Sequence, residues 1–452
     1  MALIRPLSVL PFVGASSTVT PLGVLDGLAT HARADWKSGV EVTTRWSTAR
    51  TFSAVSGQEQ RVGTLLRPAR VVNTRHSIFG IDYDFSIQHA QRLVQRATAP
   101  SAANIPRAGL DRVTQSSLPS DCTPVLGTTT VGADLRILCD TRYRRFYAGA
   151  RAYLLPPSPV VMTYLTSRFT AVLVNILAVD DDYLDVSMPV VPISGGWIVE
   201  PCLDVHVELS SAVSNVTGRV ASMSLEVQEV VGSSALPALE LAPGHLMHTG
   251  RDGVSRPVLV LDHNWGEALE WSNFMDGISY GNDIDRTVWM AGLRPRRSAS
   301  ASARFFSRAE FWPLLQMFDT MRGRSGVFWA VYPDVLFQNL TITSGGSSIT
   351  FPAQGSLPEW RTSVDAFAAM LPDGSVSIHE TLIPVDNGDG TWTVPVQPNL
   401  PAVSVLPCVH YAARARFGED ELTENWTTAE VVDVSIPVVE LGLPTNLQLL
   451  TP

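Results

Sequence analysis

An internal duplication is the feature of this 452-residue sequence that most limits the folds available to it. The dipeptide Trp-Ser at 46–47 recurs at 271–272, and Arg61 recurs as Arg286, both 225 residues further along the chain. An Arg-Pro pair and then a Phe-Ser segment with shared Leu and Gln follow in the same order in both places. Self-similarity in a constant order indicates that one structural unit is used twice.

The second half of each copy carries the clearer match. The sequence VDDDYLDVSMPVVPISGGWIVEPC (179–202) aligns without a gap on VDNGDGTWTVPVQPNLPAVSVLPC (385–408), with eight identical residues in twenty-four. These matches follow the first-half matches in both copies, so the two copies are collinear. We therefore predict that Cys202 and Cys408, which end the two segments, lie on equivalent strands.

The separation between matched residues changes along the chain, and each change locates an insertion. Copy one carries an extra segment near 97–147, and copy two carries extra residues near 335–375. Insertions on a shared scaffold usually lie in surface loops, where added chain length costs little. The segment 233–253 is predicted to be a solvated linker between the copies.

Most of the sequence predicts β-strand. Segments such as GRVASMSLEVQEVV and AEVVDVSIPVVEL are rich in β-branched residues and partly alternate between polar and apolar residues. The Asn-Gly and Asp-Gly pairs of DNGDG (386–390) predict a hairpin turn. DDDYLD (180–185) is predicted to be the equivalent hairpin tip of copy one.

One helix is predicted in each copy, at 85–95 and from about residue 307. In copy two, Ser307 and Glu310 have the spacing of a capping box, and apolar residues follow at helical spacing. Pro313 conflicts with that start, because proline lacks the backbone N–H that a helix interior needs. The helix is therefore expected either to begin one turn later or to bend at Pro313.

Together these patterns predict a mainly β protein of two related halves, each a helix-bearing β module followed by a β-sandwich. The predicted divisions are an N-terminal arm (1–35), a first β module with one helix (36–150), a first β-sandwich (151–240), a linker (241–254), a second β module with one helix (255–335), and a second β-sandwich with the C-terminal tail (336–452).

Composition excludes several classes of protein. The net charge of −10 argues against nucleic-acid binding, which needs a basic field to release counterions. No stretch approaches the roughly eighteen apolar residues that span a membrane, so no membrane insertion is expected. The N-terminal apolar stretch is interrupted by prolines and is interpreted as a strand or arm rather than a signal peptide.

The four cysteines are too few and too scattered for a disulfide scaffold or a zinc site. We predict no disulfide, because assembly in a reducing cytoplasm disfavours oxidation. Cys202 and Cys408 are expected to be small buried hydrophobic residues in separate sandwiches.

No catalytic motif is recognisable. The sequence lacks a G-x-S-x-G elbow, an H-E-x-x-H pair, a phosphate loop and a dinucleotide fingerprint. Glu200 with Glu208, and Glu419 with Glu421, are pairs of acidic residues of the kind that glycosidases use. Sequence does not give the distance between their carboxylates, on which that chemistry depends. We therefore predict no enzyme activity and assign no catalytic or cofactor-binding residue.

Four stretches of the sequence contain residues typical of metal or nucleic-acid sites. His245 and His248, with His263 as a distant third, lack the ligands that complete a tetrahedral site, so a solvated linker is favoured. The two acidic hairpin tips do not fit the calcium-loop pattern, and no metal or cofactor is predicted. TRYRRFYAGAR (141–151) interleaves arginines and aromatics as nucleic-acid binders do, but on an acidic protein we favour a strand face or an interface with an acidic neighbour.

The segment MRGRSGVFWAVYPD (321–334) collects arginines and large aromatics where a helix passes into a strand. A helix that ends at Gly323 and continues into an aromatic strand makes a compact helix-on-sheet joint. The aromatics, Phe328, Trp329 and Tyr332, are expected in the core beneath the helix. Arg322 and Arg324 are expected to face outward, although an internal position for all five residues is the competing prediction.

The order of these motifs resembles the distal-tail proteins of siphophages and phage-like gene transfer agents. In that family a G-x-E-x-R strand precedes an arginine-bearing strand, and a helix with paired aromatics ends in Gly-Arg or Arg-Gly before an aromatic strand. Here SGQEQR (56–61), the RPRR at 294–297, the Phe-Trp pair at 311–312 and RGRSGVFW (322–329) match it. Copy two has only the degraded GNDIDR (281–286), and copy one lacks the Gly-Arg joint. The ending (413–441) resembles, more loosely, the terminal strand pair of tail-tip and hub proteins. Distal-tail proteins are usually shorter and unduplicated.

The resemblance implies a virion structural protein of the distal phage tail, the tail tip or baseplate, assembled in the bacterial host cytoplasm. Its implied partners are further copies of itself in a ring, with a trimer favoured over a hexamer, and the tail tube, hub and fibre proteins. Two alternatives remain open: a tail adhesin that binds a host receptor or carbohydrate, and a tail-associated cell-wall hydrolase.

Overall fold

A computed structural model describes most of the chain. The described residues are 39–52, 59–79, 87–88, 90–91, 94–95, 103–106, 110–111, 113–114, 134–155, 172–187, 198–218, 220–230, 237–261, 270–274, 277–280, 287–290, 296–341, 346–352, 366–382, 384–400 and 405–441. The predicted N-terminal arm, Cys122 and His263 lie outside these residues, as does most of the first insertion.

Twenty-eight strands are described in chain order. Strands β1 to β13 are Val40–Arg45, Thr48–Phe52, Glu59–Gly63, Ala69–Phe79, Ala103–Pro106, Val113–Thr114, Asp134–Leu138, Arg151–Leu155, Val172–Asp180, Tyr183–Ser187, Ile198–Val207, Ala212–Thr217 and Val220–Glu229. Strands β14 to β28 are Met247–Thr249, Ser255–Val260, Glu270–Phe274, Gly277–Tyr280, Thr287–Met290, Arg296–Phe305, Phe328–Thr341, Ser348–Pro352, Ala366–Met370, Val376–Thr381, Val385–Asp386, Thr391–Gln397, Val405–Phe417, Glu421–Trp426 and Val432–Glu440.

One helix has fully described bounds, α1 at Arg308–Met321, and a 3₁₀ turn at Gly323–Ser325 follows it. Strands predominate among the described residues, which confirms the prediction of a mainly β protein. Helical residues also occur at 87–88, 90–91 and 94–95, inside the segment where a helix was predicted for copy one.

Contacts divide the chain into two compact units. Unit 1 contains 76–225, and unit 2 contains 35–75 together with 226–452. One division falls at residue 75, within the segment 36–150 that was predicted as one module. The physical reason is strand pairing: β1 pairs antiparallel with β27 from Val40 opposite Trp426 to Arg45 opposite Glu421.

Unit 1 is built around β11. This strand pairs antiparallel with β5, β6 and β8. Strand β8 also pairs with β9, which forms a hairpin with β10, and β10 pairs in turn with β7. Strands β12 and β13 form a further antiparallel pair. The apolar core of the unit includes the buried residues Ile137, Ile176, Leu184, Val186 and Val199.

Unit 2 is built around β26 and β1. Strand β26 pairs antiparallel with β20, β22 and β28, and β20 pairs parallel with β15. Strand β1 lies between β4 and β27, and β19 lies between β16 and β28. Helix α1 packs on this framework through aromatic contacts. The ring centroids of Phe311 and Trp426 are 5.7 Å apart, and those of Phe318 and Phe417 are 5.0 Å apart.

The helix begins where its sequence predicts. The side chain of Ser307 accepts a hydrogen bond from the backbone N–H of Glu310, and the Glu310 carboxylate accepts one from the N–H of Phe306. This reciprocal arrangement satisfies N–H groups that the first turn leaves without helical partners. Pro313 lies inside the helix rather than before it, so a start one turn later was the wrong alternative.

Both predicted hairpin tips are present. Strands β9 and β10 meet at Asp180 opposite Tyr183, and β24 and β25 enclose the Asn-Gly-Asp-Gly sequence with Asp386 opposite Trp392. Gly388 and Gly390 have positive φ angles, 75° and 84°, which glycine adopts without steric cost.

Two segments differ from their predictions. The segment 241–254, predicted as a solvated linker, contains β14, which pairs with β15, and His248 within it is buried. The pairing of β15 with β20 draws this segment into unit 2. The segment 141–151 was predicted to be a strand face or an interface with an acidic neighbour. The strand alternative is wrong, because the segment is a turn region in which only Arg151 belongs to a strand. Tyr143 has a φ of 59°, which is incompatible with an extended strand.

The described cysteines, Cys139, Cys202 and Cys408, carry free thiols. Cys202 is buried as predicted, but Cys408 is only partly buried. Burial raises the pKa of the Cys139 thiol to about 12 and raises that of Cys202 well above its ordinary value.

We expect Cys408 to react with iodoacetamide in the native protein at pH 7.5 faster than Cys139 or Cys202. The thiolate is the reactive form, and the two buried cysteines are both shielded and held as thiols. Peptide mapping after timed labelling measures this order, and labelling in denaturant should equalise the three rates. Faster native labelling of Cys202 than of Cys408 would contradict the placement of these strands.

Candidate assembly interface

The joint between α1 and β20 has an unusual backbone. Arg322, which caps the C-terminus of the helix, has a left-handed conformation with φ 52° and ψ 54°, and Gly323 follows with φ 60°. The last residue of the helix is Met321, two residues before the glycine that was predicted to end it. The N–H of Arg322 bonds to the carbonyl of Asp319, and the N–H of Gly326 bonds to that of Met321. These bonds satisfy carbonyls at the helix C-terminus.

Two glycines allow the joint to close. A Cβ atom at Gly326 would lie 2.8 Å from the Cα and the carbonyl oxygen of Met321. A Cβ atom at Gly323 would lie 3.0 Å from the Cα of Asp420 and 3.2 Å from the Cβ of Trp46. The backbone of the joint therefore lies in close contact with Asp420, in the turn before β27, and with Trp46, the residue after β1.

Asp420 fixes the joint to the first strands of the chain. Its carboxylate oxygen Oδ1 accepts hydrogen bonds from the Thr48 hydroxyl at 2.7 Å and from the backbone N–H of Arg324 at 3.0 Å. Its carbonyl accepts the N–H of Trp46 at 2.7 Å. One residue therefore joins two other segments, 46–48 and the joint at Arg324, to the turn before β27.

A buried charged network lies next to this joint. Arg70 Nη1 donates to Glu229 Oε2 at 3.2 Å, and Arg70 Nη2 lies 3.7 Å from Asp319 Oδ2. Asp319 also accepts the indole N–H of Trp46 at 3.3 Å and the backbone N–H of Leu239 at 3.0 Å. The side chains of Arg70 and Asp319 are fully buried. Buried charges are tolerated only when they are paired and hydrogen-bonded.

The aromatic residues of the joint are in the core, as predicted. Phe328, Trp329 and Tyr332 are all buried. The rings of Phe328 and Phe417 lie 4.8 Å apart, and those of Tyr332 and Tyr411 lie 5.4 Å apart. The joint is therefore rigidly supported from beneath.

The two arginines differ. Arg322 is exposed as predicted, and Arg324 is half-buried. Strand β3 and the turn after it expose Val62 and Leu66, with 56% and 86% of their surfaces accessible. The Cδ of Arg322 lies 3.4 Å from the position of a Cβ at Gly63, so the arginine and β3 are in contact. We call Val62, Leu66 and Arg322 the joint surface.

A second buried polar cluster surrounds Trp329. The ring of His248 meets that of Trp329 edge-on at 5.2 Å, and His248 Nε2 lies 3.9 Å from Glu380 Oε1. His379 donates its Nδ1–H to the carbonyl of Pro398 at 2.8 Å. Burial lowers the pKa of His379, and the nearby His248 lowers it further, so the neutral ring is favoured. Within the described part of the chain, no three His, Cys, Asp or Glu side chains are placed to hold a metal ion.

The four glutamates considered as glycosidase pairs have the following places in the structure. Glu200 is buried on β11, and Glu208 lies beyond that strand. Glu421 pairs with Arg45 at 3.1 Å, and Glu419 is exposed. The residues supporting the joint that sequence analysis missed are Arg70, Asp319 and Asp420. Asp319 alone carried a signal, because an acidic residue in the last turn of a helix opposes the helix dipole.

No family model matches the chain, and no curated protein matches it at a significant level. None of the described helices has the length and apolar character needed to cross a membrane.

Proposed function

We propose that the chain is a structural protein of the distal phage tail, where it joins the tail tube to hub or fibre proteins through protein–protein contacts. The observation that carries the proposal is the joint surface. This surface is apolar and cationic, and the backbone beneath it is held in place by three features. These are the closely packed glycines, the buried ion network and Asp420, which accepts three hydrogen bonds. Rigid surfaces lose little entropy on binding and suit assembly.

Strand pairing supports the proposed duplication in the first half of each copy. Strand β1 pairs with β4 around the hairpin β2–β3. Strand β16 pairs with β19 around the hairpin β17–β18. Helical residues follow β4, as α1 follows β19. Matched residues of the sequence repeat lie on or beside these strands, including Trp46 next to β1 and Trp271 in β16.

The second half of each copy has the same correspondence. The pairings β5–β11, β7–β10, β8–β9 and β8–β11 have the counterparts β20–β26, β21–β25, β22–β23 and β22–β26. The final hairpins, β12–β13 and β27–β28, also correspond. In this scheme Cys202 on β11 and Cys408 on β26 occupy equivalent strands, in keeping with the ungapped alignment.

A duplicated chain can occupy two positions of a ring. Closed rings need a heterologous interface whose rotation closes, and two related modules per chain let three chains supply six similar faces. The proposal therefore favours a trimer over a hexamer. It assigns the chain to the virion and gives it no catalytic role.

The test is the composition and shape of tail particles from the phage that encodes the chain. We expect the chain in purified tails, and we expect particles made without it to carry tubes that lack the tip and fibres. Arg322→Gly combined with Leu66→Ala should reduce incorporation at least tenfold, because glycine keeps the left-handed conformation while the joint surface is lost.

Arg142→Ala is the matched control, since Arg142 is an exposed arginine paired locally with Asp140. It should leave incorporation unchanged. Absence of the chain from tails would refute the proposal. Equal incorporation of both variants would refute its assignment to the joint surface.

A further inference from the structure

The pairing of β1 with β27 covers a strand that would otherwise be exposed. Alternate residues of β27 are buried: Leu422 and Glu424 are each 1% exposed, and Trp426 is 4% exposed. Trp426 packs against Phe311 of α1. The backbone of Trp46, directly after β1, bonds to the turn before β27. In the duplicated scheme, β1 belongs to copy one and β27 to copy two, so this is a contact between copies.

The counterpart of β27 is β12, and its environment is different. The burial pattern of β27 alternates, whereas every described residue of β12 except Val213 is exposed. Apolar side chains are concentrated there. Leu209 in the preceding turn is 78% exposed, Val216 is 65% exposed, and Val220 at the start of β13 is 39% exposed. We call β12 with these flanking residues the β12 surface.

The counterpart of β1 is β16. The Trp-Ser pair at 46–47 recurs at 271–272, so Arg45, the last residue of β1, corresponds to Glu270, the first residue of β16. Strand β16 pairs with β19 as β1 pairs with β4. The other edge of β1 pairs with β27. Because β12 is the counterpart of β27, the corresponding partner for the other edge of β16 would be a β12 strand.

From this correspondence we infer that β16 of one chain adds to the β12 surface of a second copy, repeating between chains the contact that β1 and β27 make within one chain. The inference rests on the duplication and ring assembly of the proposed function. An exposed strand offers backbone hydrogen bonds to an added strand, and its apolar flank supplies area to bury. Because β12 and β16 are different surfaces, each chain uses one to bind the preceding copy and the other to bind the next.

Cysteine cross-linking tests the inference in the full-length chain. Arg45 lies opposite Glu421 within the chain, and the corresponding positions are Glu270 and Ala212, the first residues of β16 and β12. The probe is a short bismaleimide, whose reach tolerates a shift of one residue. Chains with Glu270→Cys alone or Ala212→Cys alone should show only the background of the wild type. Their mixture should give a cross-linked dimer, and the double variant should give a series that ends at the closed ring.

The intramolecular control is the double variant Arg45→Cys with Glu421→Cys, which should cross-link within one chain and migrate as a monomer. A second readout uses Val216→Asp, which places a charge on the β12 surface at an exposed position. It should abolish the dimer in the mixture while circular dichroism stays unchanged.

No dimer in the mixture, or an internal cross-link in the Glu270–Ala212 double variant, would overturn the inference. Cross-linked series from a chain that is absent from tail particles would instead uphold the inference and refute the tail assignment.

Discussion

Replacement of Asp319 by alanine is expected to lower the free energy of unfolding of unit 2 by about 3–5 kcal/mol. The substitution removes the carboxylate near Arg70 and the acceptor of the Trp46 indole N–H. It leaves the guanidinium of Arg70 buried beside Glu229, whose carboxylate lies 3.2 Å away, without the charge of Asp319. Removal of one partner from a buried ion pair is strongly destabilising because the other charge loses its compensation. Urea denaturation followed by tryptophan fluorescence measures the change.

Asp433→Ala is the matched control for this prediction. Asp433 accepts two hydrogen bonds from Arg304, at 2.6 and 2.8 Å, but both side chains are substantially exposed. Exposed ion pairs contribute about 0–1 kcal/mol because water screens them. Equal losses for the two variants would mean that burial of the Asp319 network does not stabilise the fold.

Replacement of Phe311 by alanine is expected to cost about 3–5 kcal/mol, because the side chain is buried between two other aromatic rings and its loss leaves a cavity. The ring centroid of Phe311 lies 5.5 Å from that of Phe305 and 5.7 Å from that of Trp426. The variant should also expose the face of β27 on which Trp426 lies, because Phe311 covers that tryptophan.

Phe306→Ala provides the control within the same segment. Phe306 is 70% exposed, and exposed substitutions of this kind usually change stability by about 0.5 kcal/mol or less. The same denaturation experiment applies to both variants. A loss for Phe306→Ala as large as that for Phe311→Ala would contradict the packing of α1.

Local features of the fold were predictable from sequence. The capping box at Ser307 and the turns at 180–185 and 386–390 depend on residues a few positions apart, so sequence spacing specifies them. The aromatic residues of the joint were placed correctly for a related reason. Large apolar side chains that directly follow an amphipathic helix are buried by the helix itself.

Long-range features were not predictable in the same way. Strand β1 pairs with β27, which lies almost at the other end of the sequence. Neither strand contains a sequence pattern that identifies the strand it pairs with. The segment containing His248 was interpreted as a solvated linker because its composition resembles one. The burial of His248 within it comes from packing against Trp329 of β20, with which β15 pairs in parallel, and this is a tertiary effect.

The location of the candidate site was predictable from sequence, but the contacts that hold it in place were not. The joint at 321–334 stood out because arginines and aromatics occur together there, and Arg322 is exposed as expected. Sequence gave no means of finding that Asp420 holds Thr48 and Arg324. Its three contacts join segments far apart in the chain, and aspartate is common in turns for purely local reasons.

The most direct test of the account is a symmetry-resolved reconstruction of the tail tip in which copies of the chain are counted. The account predicts three chains in one ring, each contributing two related modules, with β16 of each chain paired to β12 of the next. Six chains in one ring would contradict the trimer, and a chain found only as a monomer outside the tail would contradict the assignment to the tail.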